Sequence, residues 1–142
     1  MSRHCLRSTL VGSLLAALPA LGAAQRVVPV ELTGSPASAS FRFEPTRVEA
    51  SPGDVLEFRV RNGGPYLIAF SGDSLEPSAR MLLDQAMPDR SGPLRSSLLR
   101  RPGATYRIVL PPLPPGTYRF FAPTHLSYRM TGRLWIRRGN AP

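Results

Sequence analysis

His125 and Met130 stand five residues apart in the stretch RFFAPTHLSYRM, residues 119–130. An imidazole and a thioether are soft ligands, and together they suit copper far better than a hard cation. The pair is also half of what a tight site needs, since two donors leave a metal mostly uncoordinated. Acid–base or nucleophilic catalysis has less to work with. The only other histidine is His4, near the start of the chain, and the only cysteine is Cys5. There is no G-x-S-x-G elbow, no H-E-x-x-H pair and no glycine loop for phosphate. A non-enzymatic protein is expected.

Both of those outlying residues fall in an N-terminal segment with its own logic. MSRHCLR carries Arg3 and Arg7 without an acid, STLVGSLLAALPALG is apolar, and small residues precede Gln25. That order is the order of a secretory signal peptide, and the apolar run is short for a membrane span. Cleavage after Ala24 is expected, with an uncleaved anchor as the alternative, and the destination is the periplasm or the outside of the cell. No lipobox-like context surrounds Cys5. The mature chain then has no disulfide, thiolate ligand or cysteine nucleophile, and an ordinary core must hold it together.

All 18 basic residues are arginine, and the formal net charge is +9. A positive field attracts anionic surfaces or an acidic partner. The arginines are dispersed, however, without a basic block or a nucleic-acid motif. Arginines on the solvent faces of strands explain that distribution, and no nucleic-acid partner is expected.

The elements that must position His125 and Met130 are strands. RVVPVELT (26–33) is a first strand and GSPASAS (34–40) a loop. FRFE alternates before Pro45, and SPGD (51–54) is a turn. VLEFRVR (55–61) places Leu56, Phe58 and Val60 on one face and Glu57, Arg59 and Arg61 on the other. After NGGP (62–65), YLIAF (66–70) starts another strand. Residues 74–87 suit a short helix after Pro77, with Met81, Leu82 and Met87 inward. ATYRIVL (104–110) turns Tyr106, Ile108 and Leu110 inward. TYRFFA (117–122) and GRLWIRR (132–138) close the series, with Leu134 and Ile136 inward and Trp135 outward. Seven or eight short strands between Gly and Pro turns predict an all-β Greek-key sandwich or barrel with one short helix, in a single domain.

FRFEPTRVEASPGDVLEFRVRNGGP, followed by PGTYRFFAPTHLSYRMTGRLWIRR, resembles the cupredoxin family, the plastocyanin-like blue copper proteins. The likeness covers about residues 40–138, with residues 25–39 a preceding strand and loop and 139–142 a tail. The family's type 1 site takes a histidine after an Asn-Gly-Pro turn, then a cysteine, a second histidine and a methionine on one C-terminal loop. The thiolate is its strong ligand. On this pattern His125 and Met130 occupy the second histidine and the methionine, and Gly132 follows as in the family. Tyr66 stands at the first histidine and Ala122 at the cysteine. Tyr118, Phe120 and Ala122 share a strand face, which points Ala122 inward.

The resemblance therefore implies a scaffold with a degenerate ligand set and no cofactor expected. The alternative is a copper-binding electron carrier, or a weak Cu(I) binder through His125 and Met130. Tyr66 paired with Ala122 conserves volume roughly and refills the pocket, with the tyrosine hydroxyl at the rim or on His125. His125 is expected to hydrogen-bond a neighbouring strand's backbone, and Met130 to fill core space. Phe121, Leu126 and Tyr128 form a candidate docking patch for a protein partner. A monomer is expected.

Overall fold

The computed structural model describes residues 25–138; the signal segment expected over 1–24 and the tail at 139–142 lie outside the described residues. Eight strands form two four-stranded mixed sheets. The first sheet holds β1 (Val27–Ser35), β2 (Ser40–Glu44), β4 (Val55–Val60) and β6 (Thr105–Val109), in the order β2-β1-β4-β6. The second holds β3 (Arg47–Ala50), β5 (Ala69–Phe70), β7 (Gly116–Phe121) and β8 (Thr131–Ile136), in the order β3-β8-β7-β5. Each sheet contains one parallel pair, β1 with β4 and β3 with β8, and is otherwise antiparallel. β1, read as a strand ahead of the domain, lies inside the first sheet between β2 and β4. Among the described residues no helix is long and apolar enough to cross a membrane.

Period-two alternation builds the interior, because successive strand side chains face opposite sides. Leu56, Phe58 and Val60 are buried, as are Tyr106, Ile108 and Leu110, Tyr118, Phe120 and Ala122, and Leu134 and Ile136. Trp135 is exposed on the opposite face. Phe43, Phe58 and Phe120 meet edge to face between the sheets, with centroids 4.9–6.1 Å apart. Phe120 is the cross-strand partner of Gly132, and a Cβ on that glycine would overlap the phenyl ring. Gly132 thus lets the Phe120 ring lie against the backbone of β8.

Three expectations need correction. Glu57 is not on a solvated face: it is 4% exposed. β4 is an interior strand, so neighbours cover it on both sides. Arg107, its partner on β6, donates from Nε to Glu57 at 2.6 Å, and Arg59 donates at 3.0 Å. Two charge-assisted bonds compensate the desolvated carboxylate. The helix α1 (Pro77–Ala86) forms where Pro77 suggested, but Met81 points to solvent. Ala79 and Leu83, four apart, make its inward stripe, and Met87 is buried just beyond it. Residues 66–68, finally, do not join a sheet. Tyr66 and Leu99 exchange backbone hydrogen bonds of 2.9 and 2.8 Å, and Ile68 N–H donates to the Ser96 hydroxyl at 2.9 Å. Their partner is the loop before β6, so β5 begins only at Ala69.

Candidate functional site

The loop between β7 and β8 turns three side chains inward. Ala122 ends the β7 path, and a 3₁₀ segment, Pro123–Tyr128, follows, kinked at His125 (φ −131°, ψ 34°). His125 N–H donates to the Ala122 carbonyl at 2.9 Å, and Ala122 N–H donates to the Met130 carbonyl at 3.1 Å. Arg129 turns the chain back with a left-handed backbone (φ 55°), its N–H on the Leu126 carbonyl at 3.0 Å. The backbone thereby ties Ala122, His125 and Met130 together. Their exposures are 0, 9 and 1%.

Around His125 the structure builds an aromatic stack that no single stretch of sequence announces. The Tyr66 ring centroid lies 4.7 Å from that of the imidazole, and the Phe41 centroid lies 4.3 Å from it. Tyr128 continues the stack against Phe41 at 4.5 Å. All three contacts are tilted, an arrangement that contributes modestly beyond area burial. The Tyr66 hydroxyl donates neither to His125 nor to solvent; it donates to the Asn62 carbonyl at 2.7 Å. Gly63 (φ +76°) makes room for it, since a Cβ there would sit 2.7 Å from the hydroxyl oxygen. Burial pushes the phenol up to about 12, so it is neutral at physiological pH. His125 also departs from expectation. Its Nδ1 lies 2.8 Å from Thr124 Oγ1, whose oxygen accepts from Leu67 N–H at 3.4 Å, so its partner is a side chain and not a neighbouring strand.

Desolvation holds the His125 imidazole below its ordinary pKa of 6.5. The unfolded chain therefore takes up a proton at pH values where the folded chain resists one, and the sign follows. The penalty is absent above about pH 6.5, grows as pH falls below that value, and levels off below the folded-state pKa. Asp84 titrates elsewhere: the Leu94 N–H and the Arg90 guanidinium hold its carboxyl below the usual range. We expect denaturation midpoints in metal-free buffer to fall between pH 7 and pH 5, and His125→Phe to flatten that slope. An unchanged slope in the variant would assign the acid sensitivity elsewhere.

Of the sequence-predicted residues, Tyr66, Ala122, His125 and Met130 converge on one end of the sandwich. The docking patch divides. Phe121 and Leu126 share a shallow groove of about 230 Å³ with Arg119 on its rim, and Leu126 is 60% exposed. Tyr128 stands apart from it, against Phe41. Sequence reasoning missed Phe41, Thr124, Asn62 and Gly63 as parts of the site. A hydroxyl residue beside the histidine was the one local signal available; Phe41 looks like any inward strand residue.

The two mixed sheets, their strand order and the loop at this end define a cupredoxin-like domain. No family model matches the chain. It is 26% identical over 137 residues to the chloroplast plastocyanin of Pisum sativum, covering 94% of this chain and 76% of that one. Oxidised plastocyanin from Dryopteris crassirhizoma superposes with a TM-score of 0.59 at 24% identity, over 78% of this chain and all of that one. A Cu(I) form of an amicyanin variant superposes at 0.51 and 14% identity, over 80% of this chain and 85% of that one.

The residues present do not fit a type 1 copper centre. Such a centre needs two imidazoles, a thiolate and a weak axial ligand. Here one imidazole and one thioether meet an alanine methyl and a neutral phenol already bonded to Asn62. Among the described residues no three His, Cys, Asp or Glu side chains group into a metal site.

Proposed function

We propose that this chain is an exported, metal-free cupredoxin-like module that works by binding and neither catalyses a reaction nor carries electrons. The observation that supports this most is Tyr66. Its fully buried ring packs on His125, and its hydroxyl is committed to Asn62, so the place of a second imidazole is taken by core. On this reading the scaffold has given up the thiolate and the distant histidine together. Export accords with the N-terminal segment, which has the charged, apolar and small-residue order of a secretory signal peptide.

The surface this reading leaves for a partner is the groove at Phe121 and Leu126. A large exposed leucine beside a half-buried phenylalanine, with Arg119 alongside, suits a protein surface that presents an apolar side chain bordered by carboxylates. Metal analysis of the protein purified from its own secretion route tests the first half, and we expect substoichiometric copper. Titration with Cu(I) under anaerobic conditions should give only weak binding. Stoichiometric binding that disappears in His125→Ala would overturn the reading in favour of a copper carrier. Leu126→Asp should abolish partner association while leaving the fold intact; an unaffected complex would remove the groove from consideration.

A further inference from the structure

The two sheets carry their arginines differently. On the first sheet and its ends the arginines are matched: Arg42 with Glu44 at 2.6 Å, Arg61 with Glu31 at 2.7 Å, and Arg59 and Arg107 with Glu57 at 3.0 and 2.6 Å. On the second sheet Arg47, Arg133 and Arg119 are direct partners across β3, β8 and β7. Three cations thus lie side by side on one outer face, and none of them makes an ion pair among the described residues. Like charges placed opposite each other destabilise a sheet. The nearest acid along β3, Glu49, is held by Arg137 at 2.6 Å. Arg47 is steadied over the Trp135 ring, 4.9 Å from its centroid.

Where β3 and β8 begin, this row runs into a cleft. Arg47 and Arg133 meet Arg129 and Arg42 around an open cavity of about 440 Å³, with Phe41 and Met130 among its lining. A cavity of that size holds a small ligand, and it is concave where a merely solvated charged face is flat. Of the four guanidinium groups, only Arg42 has a carboxylate partner among the described residues. A guanidinium presents a planar fork of donors that matches phosphate oxygens two at a time. Three unmatched forks around one cavity exceed what a single monoanion can satisfy.

We propose that this cleft binds a ligand through a multiply charged phosphate group. Arg47, Arg129 and Arg133 supply the main donors, and Arg42 joins them by exchanging its bond to Glu44. The site uses no metal and stands whether or not His125 and Met130 ever meet one. Its phosphate can belong to a soluble compound or to a phospholipid headgroup, and the test separates the two. Inorganic pyrophosphate is titrated calorimetrically into the mature protein at low ionic strength, where screening is least. In parallel the protein is sedimented with phosphatidylcholine vesicles, with and without phosphatidic acid, whose phosphomonoester carries up to two charges. We expect pyrophosphate to bind and Arg129→Gln with Arg133→Gln to weaken it by about tenfold or more, the scale of a lost charge-assisted contact. Arg100→Gln with Arg101→Gln, outside the cleft, should change it by less than about twofold. Vesicle binding that depends on Arg129 and Arg133, without pyrophosphate binding, assigns the same chemistry to a headgroup. Failure of both probes, or equal weakening by the two arginine pairs, overturns the site. Circular dichroism on each variant separates lost binding from lost fold.

Discussion

Replacing Tyr66 by alanine is expected to destabilise the protein by about 3–5 kcal/mol, the range for deleting a large buried aromatic ring. Tyr66 is fully buried, and its ring is one wall of the His125 stack. The backbone on either side is fixed by the exchange with Leu99, so the chain has little freedom to collapse into the space. Tyr66→Phe separates the ring from the hydroxyl. It should cost only about 0.5–1.5 kcal/mol, since it removes one hydrogen bond to a partly exposed carbonyl. Chemical denaturation of the two variants beside the wild type gives both numbers. The alanine variant also carries a second signature. With the ring gone, water reaches the imidazole, and the His125 pKa should rise towards 6.5 in an NMR titration. A loss below about 1 kcal/mol in Tyr66→Ala would mean that the ring is a lid and not part of the core. The idea that tyrosine took over a ligand's place as packing would then fail.

The strands were legible because each had to bury one face, and burial leaves a period-two trace. Leu56, Phe58 and Val60 could be assigned from seven residues of sequence for that reason. Glu57 was misplaced because alternation tells which face a side chain takes and not what covers that face. Its cover is Arg107, fifty residues away in sequence and one strand away in the sheet. Met81 failed for a related reason: the inward stripe of a ten-residue helix rests on Ala79 and Leu83, and alanine is a weak sequence signal for burial. The site divides in the same way. The spacing of Ala122, His125 and Met130 is local, and one loop holds all three. The stack of Tyr66, His125, Phe41 and Tyr128 draws on three segments, and only the packing of the sheets brings it together. The arginines gave the strongest contrast. They are scattered along the chain, yet cross-strand register sets Arg47 beside Arg133 and Arg133 beside Arg119. Dispersion in sequence was no argument for dispersion on the surface.

A Tyr66→His, Ala122→Cys double variant is expected to take up one equivalent of Cu(II) and to show an intense visible thiolate-to-copper band. The reasoning starts from the loop. Ala122 is fully buried on the inward face of the β7 path, and its backbone is bonded to both His125 and Met130. A cysteine there places sulfur inside the same loop, and histidine at position 66 returns a second imidazole beside His125, where the tyrosine ring now lies 4.7 Å away. Two imidazoles, a thiolate and a thioether make the set that selects this copper geometry. Each single variant should lack the band: Ala122→Cys alone leaves the phenol in place, and Tyr66→His alone leaves no thiolate. Stability adds an independent readout. Without metal the double variant should be less stable than the wild type, since it loses the Tyr66 hydroxyl bond to the Asn62 carbonyl and buries a second imidazole without a metal to bind it. Copper should reverse that deficit, because a ligand that binds only the folded state stabilises by about 4 kcal/mol at a thousandfold excess over its Kd. Colourless Cu(II) binding would place the sulfur away from the metal, and the correspondence of Ala122 with the cysteine position would be wrong. Blue binding would show that the scaffold still orients the loop for copper, and that two side chains alone separate it from a copper protein.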